Sequence, residues 1–440
     1  MRSKRGMVAP LALAQGVASF AATTMAVSIT AIAEDLHTSA ADVQAMITLF
    51  TLTMAALMIP GSALTDVWGR KRCFVLGLIT YGTGALLAAL APGPGLLLVG
   101  YSVLEGVGSA LMIPPIYILV TVAFADVADR ARSFAAVSAA GGVGAAAGPL
   151  LGGLLTTVFG WRSAFVVQVV VVLVLLVAAR RLPDPAPTAR PTRFDVPGAL
   201  LSAAGMVLVV AGVLGSVWAL VGLGVVVLGW FDRHLRTRRD PLCPPALFRD
   251  RRTVLGLATQ LVQWLVLQGA FLVLSVHAQQ VRGLDAVRSG LVLAPATAGM
   301  LLAAAVAERL ARRHTQRRIV RAGFTTTVVG LGLLVWPVGH DSAFAAFLPG
   351  LLLLGAGVGT MLTASVTLVQ SARPAAEQGA VSGVSRAVSN LGSSLGAALA
   401  GSAVASTAPG GGPYAAVLLV LGGFAVVGLG LAVLLPRQPS

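Results

Sequence analysis

An all-α integral membrane protein is what the sequence predicts, and three observations predict it. Only 11% of residues are charged against 57% hydrophobic, with a mean hydropathy of +0.88, whereas soluble domains carry about 25% charged residues. Apolar runs recur along the whole chain, each near the ~20 residues that cross ~30 Å of hydrocarbon. The basic residues behind a net charge of +15 are gathered in alternate connections between those runs. Such a charge pattern points to a lipid bilayer as partner, and no nucleic acid is expected.

Taken in order, the first run, 9–33, follows Met-Arg-Ser-Lys-Arg. It imitates a signal peptide but is too long for a cleaved segment, so it reads as the first span. The runs 44–64, 73–91, 94–119, 132–157 and 162–179 complete a first group of six. A Pro- and Arg-rich stretch, 181–194, leads out of it to two further spans, 196–213 and 215–231. A charged connection over 232–252 then leads to 253–276, 287–307, 319–337, 343–369, 379–403 and 413–435. Fourteen spans result, divided into domains 1–180, 181–252 and 253–440. The runs are continuous rather than alternating, so they are helices and not barrel strands.

One set of connections holds Arg2 to Arg5, Arg70 to Arg72, Arg130, Arg132, the arginines from Arg180 to Arg193 and from Arg233 to Arg252, those from Arg309 to Arg321, Arg373 and Arg437. The opposite set holds only Arg162, Arg282 and Arg288. The positive-inside rule places the rich set, and with it both termini, in the cytoplasm. Lys occurs only at Lys4 and Lys71, so no Gly-rich phosphate loop ending in Lys-Ser/Thr exists. Cys73 and Cys243 fall on the expected cytoplasmic side and imply no disulfide framework.

The most informative stretch is Gly61-Ser62-Ala-Leu64-Thr-Asp66-Val-Trp-Gly69-Arg70-Lys71-Arg72. A lone acid beside three cations, in a glycine-punctuated turn between spans, fits a latch at a moving joint better than a catalytic centre. Leu64, Asp66, Gly69, Arg70 and Lys71 closely resemble the signature loop of the major facilitator superfamily, with Ser62 where that pattern opens on Gly. The resemblance implies a conformational latch built from Gly61, Asp66, Gly69, Arg70, Lys71 and Arg72. A weaker copy, Ala307 to Arg318, lies at a similar offset in the second group; it keeps a Leu and the terminal cations but lacks the Asp and both glycines.

A second motif, Gly144-Ala-Ala-Ala-Gly148-Pro149-Leu-Leu-Gly152-Gly153, puts small residues at four-residue spacing, which lets helices approach closely, while Pro149 removes a backbone donor and bends its helix. It resembles the antiporter motif of the same superfamily. In the fourth span, Ser102 and Glu105 stand where family members usually carry Arg and Gln. Glu105 is the acid placed deepest in the first group, and a carboxylate isolated in hydrocarbon is costly and functional by default. It is expected to carry the coupling proton or to meet a cationic substrate, against the alternative of a neutral structural Glu. Arg386, a turn or two into the thirteenth span, needs a partner: Asp66, Glu105 or, by snorkelling, the interface. In the first span, where the family usually shows an acid before Thr, this chain reads Phe20-Ala21-Ala22-Thr23-Thr24, so Thr23 and Thr24 stand without it. With Gln44, Gln263, Gln268 and His277 they are candidates to line a cavity; Gln168 is a further polar residue of this kind.

Gly392-Ser-Ser394-Leu-Gly396 fits a nucleophile-elbow pattern, but it lies inside an apolar helix rather than a strand-turn-helix. The five histidines show no metal-ligand spacing. No enzyme, cofactor or metal is therefore expected. The whole-chain resemblance implies a major facilitator fold: two six-helix bundles plus two extra linking transmembrane helices, similar to the fourteen-helix drug:proton antiporters. It implies a monomer in the inner (plasma) membrane exporting small amphipathic drugs, toxins or antibiotics against protons. An exporter or uniporter of one endogenous metabolite and a non-transporting membrane sensor remain as alternatives.

Overall fold

The computed structural model describes residues 2–124, 127–183, 194–215, 217–238, 241–284, 286–310, 314–340, 342–370, 378–405 and 411–436. These residues form helices and no strand. Helix α1 (Arg2–Val27) is followed by a short α2 (Ile29–Asp35). The expected single run through residue 33 thus breaks at Ser28, whose backbone leaves the helical region (φ −99°, ψ 3°) and whose Oγ lies 2.8 Å from Thr156 Oγ1. Helix α3 (Ala40–Trp68) opens on a capping box, in which Ser39 and Asp42 satisfy each other's backbone N–H. Next come α4 (Arg70–Ala89) and α5 (Pro94–Leu97), the latter with Pro in its first turn. A π-helical segment, Leu98–Glu105, runs on into α6 (Gly106–Ala123).

Helices α7 (Val127–Phe159) and α8 (Arg162–Ala179) follow. Helix α9 (Val196–Leu214) is capped by Asp195, which accepts from Gly198 N, and pairs with α10 (Trp218–Thr237). His234 of α10 reaches back to Asp195, Nε2 to Oδ1 3.0 Å. A 3-10 turn (Pro245–Phe248) precedes α11 (Arg251–Val276), which Asp250 caps by accepting from Arg252 N and Thr253 N. A π-helical turn, His277–Val281, ends α11. Then come α12 (Ala286–Leu310), α13 (Gln316–Gly339), a 3-10 turn (Phe344–Phe347), α14 (Leu348–Gln370), α15 (Gln378–Ala405) and α16 (Gly411–Leu434).

All fourteen apolar runs fall on helices. Among the described residues, eleven helices are long and apolar enough to cross a membrane, and α7 makes a twelfth when its bent arms count as one span. Helices α12, with a shorter apolar stretch Arg288–Ala303, and α15 lie outside that set. Most of the expected link 181–194 lies outside the described residues. Large apolar side chains such as Phe159, Trp218 and Trp230 stand exposed on the helix surfaces, which is the arrangement for elements whose solvent is hydrocarbon.

The helices cluster into two compact units. The first holds residues 1–246 with 373–387, and the second holds 247–372 with 388–440. In the first, α1 packs on α7, α3 and α4 on α6, α4 on α8, and α9 on both α10 and α3. Its largest aromatic cluster stacks Phe50 on Tyr101 at 4.8 Å, with Phe165 edge-on to both Tyr101 and Trp161 at 6.0 Å. In the second, α12 and α13 pack on α14, and α16 on α11 and α13, around Val266, Phe324, Leu351 and Leu421.

Candidate functional site

The signature loop is a hinge between α3 and α4. Gly69 adopts φ 97°, ψ 144°, a region that side-chain-bearing residues rarely enter, so the two helices meet without intervening loop. Half-buried Asp66 sits in the last turn of α3, and Arg70, 6% exposed, is the first residue of α4. The two attract each other across the turn. Lys71 points elsewhere: its Nζ donates to Leu182 O (2.7 Å) and Arg180 O (3.3 Å), satisfying carbonyls just beyond α8. Arg72 is exposed. A Cβ on Gly61 would collide with the backbone of Ala110 in α6, and one on Gly383 of α15 would lie 2.5 Å from Ser62 Cβ. The loop is therefore clasped between helices on two sides.

The second motif forms the seam between α7 and α1. A Cβ on Gly144 would strike the Gly16 backbone, one on Gly148 would strike Thr23, and one on Gly152 would strike Thr24. Thr24 Oγ1 also donates to Gly148 O at 3.5 Å. Helix α7 bends by 43° between Arg132–Ala145 and Leu150–Phe159. Pro149 lies at that break, where its missing N–H removes a rung of the helix ladder; its side chain is outside the described residues. Gly153 is buried on the same helix.

Glu105 closes the π-helical segment and is completely buried. Neither carboxylate oxygen meets a hydrogen-bond partner at good geometry, although the Tyr81 and Tyr101 hydroxyls are near enough to interact with it electrostatically. Tyr81 donates instead to Gln168 Oε1 of α8, at 2.5 Å. Three residues before Glu105, Ser102 Oγ donates to Met46 O at 2.8 Å. Arg386 finds partners other than the acids that the sequence offers for it. Its Nη2 donates to Gln15 Oε1 at 3.3 Å, and its guanidinium lies 4.6 Å from the centroid of Tyr117. Gln15 also accepts from Tyr117 Oη at 3.5 Å, so one buried amide joins α1, α6 and α15.

Residues 11–397 match the Major Facilitator Superfamily. The chain belongs to that superfamily. Its relatives include the puromycin resistance protein pur8 of Streptomyces alboniger, 31% identical over 81% of this chain and 73% of the relative. The multidrug efflux pump LfrA of Mycolicibacterium smegmatis is 29% identical over 82% of this chain and 73% of the relative. The cephamycin export protein CmcT of Amycolatopsis lactamdurans is 31% identical over 79% and 75%. The solved structure of human MFSD10, an organic anion transporter, shares the fold at a TM-score of 0.71 and 15% identity, covering 98% of this chain and 99% of that one. The protein is thus a multi-span membrane transporter and not an enzyme, and the elbow-like Gly392 to Gly396 lies within α15.

Within this major facilitator chain the cavity candidates divide. Thr23 bonds back to Ser19 O and Phe20 O, both at 3.2 Å, and with Thr24 it packs into the glycine seam of α7. Gln44 is exposed in the first turns of α3. Gln263 is buried in α11 and accepts from Ser365 Oγ at 3.0 Å, while Gln268 is half-buried. His277 is 3% exposed, flanked by Tyr414 at 5.3 Å and Phe347 at 6.0 Å, with neither ring nitrogen bonded. Gln15, Tyr81 and Tyr117 are missing from the sequence-based candidates. Their signal is rarity: the chain has four tyrosines, and three of them stand beside Glu105 or Arg386.

The two ends of the first unit are fastened differently. At the end away from Lys71, Arg162 Nη1 bonds Asp35 Oδ2 at 2.5 Å, and Nη2 donates to Ala91 O at 2.9 Å. The Arg162 hydrogen bond, with that from Trp161 Nε1, holds the Asp35 carboxyl below the usual carboxylate range. Both cysteines are free and buried. Burial, with Asp195 and Asp232 nearby, pushes the Cys243 thiol up to about 12, so it is a poor nucleophile.

Proposed function

We propose that this transporter is a proton-coupled exporter of small amphipathic drugs, toxins or antibiotics, with Glu105 as the group that takes up and releases the coupling proton. The observation that carries the reading is a fully buried carboxylate without an opposing charge, which in a membrane is expensive to keep unless it is used. The resistance, efflux and export proteins among the relatives supply the substrate class. In this reading residues 1–180 and 253–440 are two six-helix bundles joined through 181–252, and the protein works as a monomer with both termini in the cytoplasm. Substrate enters from the cytoplasm or inner leaflet, the bundles rock, and a proton moving inward through Glu105 resets them. A potential of about 100 mV contributes about 2.3 kcal/mol per charge moved. Asp66 and Arg70, attracted across the Gly69 hinge, hold one of the two conformations. Thr23, Thr24, Gln44, Gln263, Gln268 and His277 remain candidates for substrate contacts.

Inside-out vesicles given ethidium or puromycin in the bath, on their cytoplasmic face, test the reading through uptake into the lumen. Export should collapse when the proton gradient is dissipated and should be lost in Glu105→Gln. Export that survives both treatments would overturn proton coupling. A narrower reading, an exporter of one natural product, is favoured by the name of CmcT; it predicts transport of a single compound from such a panel.

A further inference from the structure

We propose that Tyr81 is the positioning residue through which the protonation of Glu105 is felt on α8, by way of Gln168. The inference rests on the reading of Glu105 as the coupling carboxylate and goes beyond it. Glu105, Tyr81 and Tyr101 are all completely buried, and Gln168 is 1% exposed. Helix α4 reaches α6 so closely at this level that a Cβ on Gly108 would lie 2.5 Å from Tyr81 N, and one on Gly84 2.8 Å from Glu105 N. The Tyr81 ring therefore has little room to move. Its hydroxyl can only turn its single proton.

That proton has two claimants. It is given to Gln168 Oε1 at 2.5 Å, with Val17 O a distant second acceptor at 3.5 Å. The Glu105 carboxyl stands on its other side, with both oxygens lacking a bonded partner. From its own helix Glu105 is faced by Tyr101, whose hydroxyl is likewise unbonded and whose ring is stacked on Phe50 of α3. No charged side chain acts on Glu105 from these elements among the described residues.

The proton balance follows. While Glu105 is a carboxylic acid, it can donate its own proton to the Tyr81 oxygen, and Tyr81 keeps its bond to Gln168. When that proton leaves to water, the carboxylate has no bonded donor, and a buried unpaired charge costs far more than a buried amide oxygen. Tyr81 then turns its proton to Glu105. Gln168 Oε1 is left without its donor, and the bond between α4 and α8 is broken. Gln168 also borders a small gap with Thr24, Ser28 and Trp161, so the change is felt where α8 meets the end of α1.

The test uses the full-length protein in proteoliposomes, with ethidium as the transported probe and the pH profile as the readout. Tyr81→Phe, nearly the same shape, removes one of the two hydroxyls beside the carboxylate and the only one shared with α8, and half-maximal transport should move about one pH unit to the alkaline side. Gln168→Leu removes the competing acceptor and should move it to the acid side; Gln168→Met checks that a packing change is not responsible. Displacements of opposite sign support the inference. Profiles that stay in place, or that move in the same direction, overturn it, even where rates fall. Glu105→Gln separates the two readings: if that variant still couples to protons, the role of Glu105 itself fails.

Discussion

In the helices before the extra pair, α1 lies on α7, α3 and α4 lie on α6, and α4 lies on α8. In the helices after it, α12 and α13 lie on α14, and α13 lies on α16. Helix α11 takes α15 as its partner, for a Cβ on Gly392 would strike Leu261 and one on Gly396 would strike Leu265. These are the same pairings, in the same order, made with glycines at the same kind of seam. The loop cations follow suit. Lys71 serves Leu182 O beyond α8, and Arg317 donates to Val433 O near the end of α16. At the opposite ends, Arg162 donates to Ala91 O and Arg282 to Ser342 O. The buried carboxylate of the first set is Glu105; the side chains of the acids of the second set, Asp285, Glu308, Asp341 and Glu377, lie outside the described residues. The second set also buries polar groups, among them Gln260, Gln263, His277 and Ser365. In the reading proposed above, both sets move while Glu105 carries the proton.

The largest expected effect tests whether the first set alone carries the proton. Glu105→Gln should lower proton-driven ethidium efflux from vesicles on the order of tenfold or more, while His277→Gln should leave its pH dependence in place. Loss of that dependence in the His277 variant would mean that the second bundle shares the proton chemistry. The packing symmetry is broken next. Gly144→Val and Gly396→Val each drive a side chain into a facing backbone, and each should lower the thermal midpoint in detergent by an amount corresponding to about 1–3 kcal/mol. Gly222→Val, on a face of α10 with nothing within 4 Å, is the control and should melt like the parent. A destabilised control, or one glycine variant that melts normally, would refute the equivalence of the two seams.

The same contrast explains what the sequence makes legible. A helix in hydrocarbon must keep its backbone bonds internal and its exterior apolar, so span positions are written in local composition, and all fourteen runs land on helices. The Gly69 turn is equally local. Partners across helices are not written in spacing along the chain. Arg386 reads as a cation seeking Asp66 or Glu105, yet it lies on Gln15 and Tyr117, whose positions are fixed by how α1, α6 and α15 pack. Thr23 and Thr24 read as cavity candidates, and the sequence alone does not show that they also fill the notch left by Gly148 and Gly152. Arg162 and Arg282, two of the three exceptions to the charge bias between the two sets of loops, each bond a backbone carbonyl of a neighbouring segment.

Smaller effects sharpen the loop comparison. Lys71→Ala and Arg317→Ala each expose carbonyls at a helix end, a loss of about 0.3–1 kcal/mol apiece. The double variant should lose the sum, because the sites share no partner. Thermal melts of the three proteins read this directly, and a double variant that loses much more than the sum would show that the two caps are coupled.

The smallest effect concerns the opposite ends, where the two arginine ties differ in one respect. Arg162 also holds a carboxylate, that of Asp35, whereas Arg282 gives its bond to a backbone carbonyl and lies 5.6 Å from the Phe347 ring centroid. Because the Asp35 carboxyl is held below its ordinary value by the Arg162 and Trp161 hydrogen bonds, its contribution to stability is fully present above the unfolded value of about 3.9. It is lost as pH falls through the lower folded value. The pair is exposed and screened, so the contribution is small. Asp35→Asn should therefore melt slightly below the parent at about pH 6, and the gap should close near about pH 3. Arg282→Gln should show a gap that acid leaves unchanged over the same interval. If the two gaps respond to acid alike, the ties are equivalent after all, and the carboxylate adds only a contact that water already supplies.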